Sequence, residues 1–188
     1  LVADKIADSL DGEGKVALMY HDANYYVTNQ RDKEVKATLQ RDYPDIEIVV
    51  EEGIANPNDG DVVASAILNQ HPEVDAIYAP WATIANGVLS AVRTADREDV
   101  GIFTIDLDNS IALNMAKGGN VKGIVSDLPY LLGKGLVKVG ALGVLGKETP
   151  AFTTVPAVTV DKENLKEKWQ EVLKEPLPDD IAEVLESN

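Results

Sequence analysis

Cysteine is absent from the 188-residue chain, so disulfide frameworks, thiolate zinc sites and cysteine nucleophiles are all excluded. The same absence leaves the redox compartment open. Histidine is scarce: there are two, His21 and His71, standing at opposite ends of strand-like runs, which argues against a catalytic triad or a two-histidine metal site. Bases are in deficit, 17 against 32 acids for a net charge of −15. Nucleic acid and anionic membranes are held through clusters of lysine and arginine, so neither is an expected partner. The excess acid is spread along the chain and reads as a solvated surface. No apolar run approaches the ~20 residues that cross a bilayer. Leu1 begins inside an amphipathic pattern rather than a basic leader, so the expectation is a removed leader or a piece of something longer.

Phosphate-binding glycine motifs are also missing. The glycines of Gly140-Ala141-Leu142-Gly143-Val144-Leu145-Gly146 miss the GxGxxG spacing and follow no strand. Gly12-Glu13-Gly14-Lys15 precedes a strand instead of following one. No GxSxG elbow is present.

What the chain does have is 45% hydrophobic residues in a regular alternation, enough for one domain or one and a fraction at ~100–200 residues each. Val2, Ile6 and Leu10 form a helical stripe that ends at the turn cluster Asp11-Gly12-Glu13-Gly14. Lys15 to Tyr20 reads as a strand, and Thr28 as the N-cap of a helix carrying Val35 and Leu39. Ile46 to Val50 is a second strand, followed by a helix from about Asp59 to Gln70 that His71-Pro72 stops. Ala76 to Ala79, the corner Pro80-Trp81 and a helix burying Ile84, Val88 and Val92 make the next unit. Val100 to Ile105 and Val121 to Val125 are two more strands, separated by a short helix capped by Asn109 or Ser110. After Pro129 the alternation gives way to a glycine-punctuated apolar helix from Tyr130 to Leu145. An extended stretch from Phe152 to Val160, a helix over 163–174 with Trp169 on its core stripe, and a last helix begun by Asp179 follow.

Strands that alternate with helices through short loops specify a doubly wound α/β fold, a parallel sheet covered on both faces. Right-handed crossovers bring the loops after all the strands to one edge. Collected there are His21, Asp22, Asn24, Tyr25, Tyr26, Asn56, Trp81, Asp106, Asp108, Asn109 and Asp127, whereas the opposite ends carry plain turn material. Arg31, in the first turn of the second helix, either forks onto two oxygens at that edge or is a solvated helix residue.

Two chemistries fit such an edge. Phe103-Thr104-Ile105-Asp106-Leu107-Asp108 resembles the first motif of haloacid-dehalogenase-type phosphatases, in which Asp106 would be nucleophile and Asp108 acid/base with magnesium between them. That motif normally opens a fold, and here it closes the fourth strand. The same acids do not fit a calcium loop, since Ile111 stands where glycine is required and Lys117 where the bidentate glutamate belongs. The other chemistry is non-catalytic. The aromatic faces of Trp81, Tyr25 and Tyr26 with the hydrogen-bonding groups of Arg31, Asn56, Asp106 and Asp127 suit a sugar or polyol, whose ring has apolar C–H faces and an edge of hydroxyls.

The run HPEVDAIYAPWATIANGVLSAV, then DVGIFTIDLDNS, then GGNVKGIVSDLPYLLGKGLVKVGALGVLGKE resembles the ribose-type periplasmic binding proteins of ABC transporters. These have the type I periplasmic binding protein fold, related to the sugar-binding core of LacI-type repressors. The resemblance runs from Leu1 to about Val160. It implies a ligand clamped between two lobes joined by three crossing segments, with Arg31, Trp81, Asp106 and Asp127 as C-lobe contacts. Trp81 stands where the ribose binders have asparagine, and Asp127 where they have glutamine.

By the same resemblance, residues 1–127 are the C-terminal ligand-binding lobe. Residues 128–154 are a crossover helix and strand belonging to an N-terminal lobe that this chain lacks, and 155–188 are the return strand and C-terminal helices. The 130–146 helix is expected to pack abnormally, pair with another chain, or rest on the helices over 163–187. The implied partners are a sugar or polyol, ABC permease subunits and the N-terminal lobe. The implied location is periplasmic or extracellular, free or lipid-anchored, with no cofactor and no enzymatic step. A LacI-type repressor core is the alternative, and the phosphatase a remote one.

Overall fold

The computed structural model describes residues 1–187; Asn188, the last residue of the expected return segment, lies outside them. The chain runs α1 (Val2–Ser9), β1 (Gly14–His21), α2 (Tyr26–Asp42), β2 (Ile46–Ile54), a 3₁₀ turn (Pro57–Asp59), α3 (Gly60–Gln70), β3 (Ala76–Ala79), α4 (Ala82–Thr94), β4 (Gly101–Ile105), α5 (Asn109–Ala116), β5 (Val121–Ser126), α6 (Pro129–Val144), β6 (Val158–Val160), α7 (Leu165–Leu173) and α8 (Asp179–Ser187). The strands form one sheet in the order β2-β1-β3-β4-β5-β6. The first five are parallel, and β6 runs antiparallel against β5 with Ile124 opposite Val160. The expected α/β parallel sheet is present, extended by this one antiparallel edge strand.

Side chains alternate across a strand, so each strand feeds two cores. Val16, Leu18, Tyr78, Phe103, Ile105 and Val125 face α1 and α2, which supply Ile6, Val35 and Leu39. Ala17, Met19, Ile77, Ile102 and Ile124 face α3, α4 and α5, with α7 and α8 closing that layer through Leu165, Trp169, Val172 and Ile181. Trp169 is 3% exposed and its Nε1–H donates to the Pro176 carbonyl at 3.1 Å, as a buried indole requires. A Cβ on Gly87 would stand 2.6 Å from the Asp61 nitrogen; only hydrogen there lets α3 and α4 meet backbone to backbone.

Several element ends differ from the sequence reading. α2 begins at Tyr26, two residues before Thr28, because the β1 tip closes at once through Ala23 N–H to His21 O and Tyr25 N–H to Ala23 O, each 2.9 Å. The Thr28 hydroxyl instead donates back to the Tyr25 carbonyl and meets the His21 ring. α5 is capped by Asp108, not by Asn109 or Ser110: its Oδ1 accepts the Ile111 N–H at 2.9 Å. Only Val158–Val160 of the expected extended stretch joins the sheet, and Phe152 is exposed.

α6 is the exception to the packing. None of its residues is buried, and Tyr130, Leu136, Val137 and Val144 present apolar surface to solvent. It stands off the sheet beside α7, with Nζ of Lys174, at the C-terminal end of that helix, 5.9 Å from the centre of the Tyr130 ring. A hollow of about 240 Å³ lies between it and Pro150 to Val155.

Candidate functional site

From β1 the chain moves one way to β2 and the other way to β3, β4 and β5. Helices on either side of such a reversal diverge, and the crevice they leave at the strands' carboxyl ends is where ligands bind in open α/β sheets. The loops after β1, β3, β4 and β5 are therefore neighbours along this edge, although they are far apart in sequence.

The β4–β5 side of the edge is polar. Arg31, from the first turns of α2, reaches across to Asp127 after β5, its Nη2 donating to Oδ2 at 2.5 Å over 96 residues of sequence. Both side chains remain partly open, at 30% and 44% exposure, so the guanidinium keeps donors for an incoming group. Asp106 follows β4 in a left-handed backbone conformation, φ 72°, and its N–H donates to the Val125 carbonyl at 2.9 Å. Burial pushes the Asp106 carboxyl above its usual range, partly offset by Arg31 and reinforced by Asp127. Arg31, Asp106 and Asp127 thus share one electrostatic neighbourhood: one cation and two acceptors, a set that can bind adjacent hydroxyls as donor and acceptor together.

The β1–β3 side is aromatic. Trp81, half-buried at the N-terminus of α4, meets the His21 ring edge-on, with centroids 4.9 Å apart at 86°. Tyr25 stacks on the same imidazole at 5.2 Å and is 64% exposed. Offset and edge-to-face pairs of this kind fix ring orientation beyond simple burial. His21 Nδ1 lies 3.0 Å from Thr28 Oγ1.

The remaining sequence-derived candidates sit apart from these two groups. Asn56 is at the tip of β2, where its carboxamide is engaged inside its own turn: Oδ1 accepts the Asn58 N–H at 3.2 Å and Nδ2 donates to Asp59 at 3.0 Å. Tyr26 is exposed on the first turn of α2. Both Asp108 oxygens are occupied, one by the α5 cap and the other by Asn86 Nδ2 at 2.8 Å. Asp108 thus serves the α5 cap and Asn86 here, whereas the phosphatase chemistry asks of it a carboxyl presented beside Asp106.

Sequence reasoning passed over Asp32 and Tyr78. Asp32 accepts from the His21 N–H and from the Tyr78 hydroxyl, each at 2.9 Å. Burial raises the Asp32 carboxyl, against the pull of those hydrogen bonds and of the His21 and Arg31 charges, and holds the Tyr78 phenol well above its ordinary value. A signal was present: a tyrosine inside a four-residue strand that is buried throughout needs a partner for its hydroxyl.

A cavity of about 570 Å³ lies to the β2 side of the Arg31, Asp106 and Asp127 group. It opens beside α2 between Asp32, Lys36, Glu51 and Tyr20, and meets the edge at the β1 tip through His21, Asp22 and Asn24. A smaller hollow of about 210 Å³ includes Arg31 and Asp127.

Among solved structures the chain resembles a glucose-galactose binding protein from Geobacillus stearothermophilus, 26% identical with TM-score 0.76, covering 87% of this chain and 58% of that one. It also resembles a carbohydrate transporter solute binding protein from Agrobacterium radiobacter in complex with D-arabinose, 21% identical with TM-score 0.82, covering 92% of this chain and 60% of that one. A 5-methylthioribose transporter solute binding protein from Thermotoga lettingae is 19% identical with TM-score 0.79, covering all of this chain and 63% of that one. The chain therefore spans about three-fifths of the length of these structures. Over residues 1–148 its sequence matches the family described as periplasmic binding protein domain. On the strength of that match, carried on a parallel sheet whose loops meet along one edge, the chain belongs to the periplasmic binding protein domain family.

Proposed function

We propose that this chain is the larger part of a two-lobed receptor that binds a sugar or polyol outside the cytoplasm and presents it to an ABC transporter permease. The observation that carries this reading is the meeting of Arg31, Asp106 and Asp127 on one stretch of the sheet edge with Trp81 further along it. A sugar ring laid on the indole would turn its C–H face to Trp81 and its hydroxyls to the carboxylates and guanidinium. A ligand lacking those hydroxyls would leave buried polar groups unpaired, which is the source of selectivity. A hexose is the first candidate, because the relative at 26% identity is a glucose-galactose binding protein. Tyr25, stacked on His21, flanks this surface as an outer contact.

Residues 1–127 form the lobe that carries the site. Residues 128–154 serve an opposing lobe, and the chain returns from 155 onward. The unburied α6 and the shorter span of this chain relative to its neighbours support that division. An apolar helix left open this way is a surface waiting for a partner. Ligand contacts that differ between open and closed arrangements would shift the population toward a closed form, with the crossings at Leu128-Pro129 and Thr153 to Pro156 as hinges.

Calorimetry of the complete receptor against a panel of pentoses, hexoses and polyols tests the proposal. Saturable heat with one sugar, together with compaction in small-angle scattering, is expected. A folded receptor that binds no member of the panel would overturn it.

A further inference from the structure

We propose that Asp32 is a positioning residue for the aromatic half of this site, fixing the end of β1 so that His21 props Trp81 in place. The inference rests on the receptor reading for its functional meaning, and on local geometry for everything else.

β1 is longer than the neighbour it leans on. Its last residue paired with β3 is Leu18, opposite Tyr78, and from there to His21 it is paired with β2 alone. Successive N–H groups of a strand in a parallel sheet point to opposite sides. Asp22 N–H goes to Ile54 O on the β2 side at 3.0 Å, so His21 N–H points to the side where β3 has already turned into Pro80-Trp81. No ladder carbonyl remains there. Asp32 Oδ2 takes its place at 2.9 Å, and Oδ1 of the same carboxylate accepts from the Tyr78 hydroxyl at 2.9 Å. One side chain of α2 thereby ties the overhanging end of β1 to the end of β3.

The His21 ring is then held from the same helix by Thr28, one turn before Asp32, and the Trp81 and Tyr25 rings pack against it, perpendicular and stacked respectively. Arg31, the adjacent residue, points the other way to Asp127. Two consecutive residues of one helical turn therefore address the two halves of the site. Neighbours about 100° apart on a helix can serve opposite sides in this manner. The wall and the polar cluster keep their spacing because α2 holds both.

The test uses the 188-residue chain, whose two histidines and two tryptophans give few and assignable ring signals in NMR. In the wild type the His21 ring protons are expected to carry ring-current shifts from Trp81 and Tyr25. Asp32→Ala should bring them most of the way to free-histidine positions and broaden the Trp81 indole N–H, leaving the Trp169 indole signal where it was. Asp32→Asn should restore at least half of the shift, because a carboxamide can accept from His21 N–H and donate to the Tyr78 oxygen. Tyr78→Phe, which leaves α2 untouched, should produce a partial loss. In the complete receptor, Asp32→Ala should weaken sugar binding about five- to tenfold, the scale of one lost hydrogen-bonded restraint.

Unchanged His21 and Trp81 signals in Asp32→Ala would overturn the proposal. If that variant unfolds, shown by collapse of the Trp169 signal, then Tyr78→Phe decides, and an unshifted His21 there overturns it as well. A wild-type receptor that binds no sugar refutes the receptor reading alone, because the ring shifts are measured without ligand.

Discussion

Replacing Asp106 separates two things that the residue does at once. Its backbone sits at φ 72°, a region that glycine enters freely, that asparagine and aspartate tolerate, and that alanine enters at a cost. Its carboxyl, raised by burial against the help of Arg31, is held ionised at some expense to the fold. Asp106→Gly removes both burdens, Asp106→Asn removes only the charge, and Asp106→Ala removes the charge but keeps a Cβ in the left-handed region. The glycine and alanine variants should differ by about 1 kcal/mol, which for a chain of this size is roughly 2–4 °C in Tm. The melting order expected at neutral pH is glycine and asparagine above wild type, with alanine below glycine.

The pH profile gives the sign. A carboxyl whose folded pKa is raised contributes its stability in acid, and that contribution is lost as pH climbs through the folded value. The advantage of Asp106→Asn should therefore open between acid and neutral pH and vanish below the ordinary carboxylate range. Sugar affinity should move oppositely. Losing a charged acceptor costs about 1.5–3 kcal/mol, roughly 10- to 150-fold in Kd, and the loss should be similar in all three variants. Differential scanning calorimetry over pH with parallel binding titrations reads both. An asparagine variant that melts below wild type at neutral pH, or a glycine variant below alanine, would refute the reasoning.

Arg31→Lys keeps the charge but loses the planar guanidinium whose Nη2 donates to Asp127. Because that pair is partly solvated, stability should change by no more than about 1 kcal/mol, while calorimetric sugar affinity falls at least tenfold; an unchanged Kd would place the guanidinium outside the site. Gly87→Ala puts a methyl 2.6 Å from the Asp61 nitrogen and should cost about 1–3 kcal/mol through forced separation of α3 and α4, read as a lower urea midpoint, and an unmoved midpoint would contradict the contact. Asp108→Ala removes the α5 cap and should cost about 1 kcal/mol with sugar affinity intact; a loss of phosphate-ester hydrolysis on this substitution would instead revive the Asp106 and Asp108 enzyme.

Which residues turn inward was legible along the chain, because helix and strand periodicity is a local property set by neighbours a few residues away. Ile84, Val88 and Val92 on α4 and Trp169 on α7 are buried as their spacing indicates. Parallel strands and a common edge for their loops followed from the alternation and from crossover handedness. Element ends were less legible, since caps depend on competing short-range bonds. Thr28 has the right chemistry to start α2, yet a tight turn at Ala23 started the helix earlier and released Thr28 to meet His21.

Tertiary structure alone decided the partnerships. The sequence brought Arg31 and Asp127 to one edge, but it does not say that they pair with each other across 96 positions, nor that β6 returns antiparallel against β5. Those outcomes depend on which faces bury most area once all the elements are present, a sum over the whole chain that no window of sequence contains. Asp32 shows the limit plainly. As one acid among 32 aspartates and glutamates it read as a solvated surface charge, and only the early end of β3 leaves a backbone N–H for it to hold.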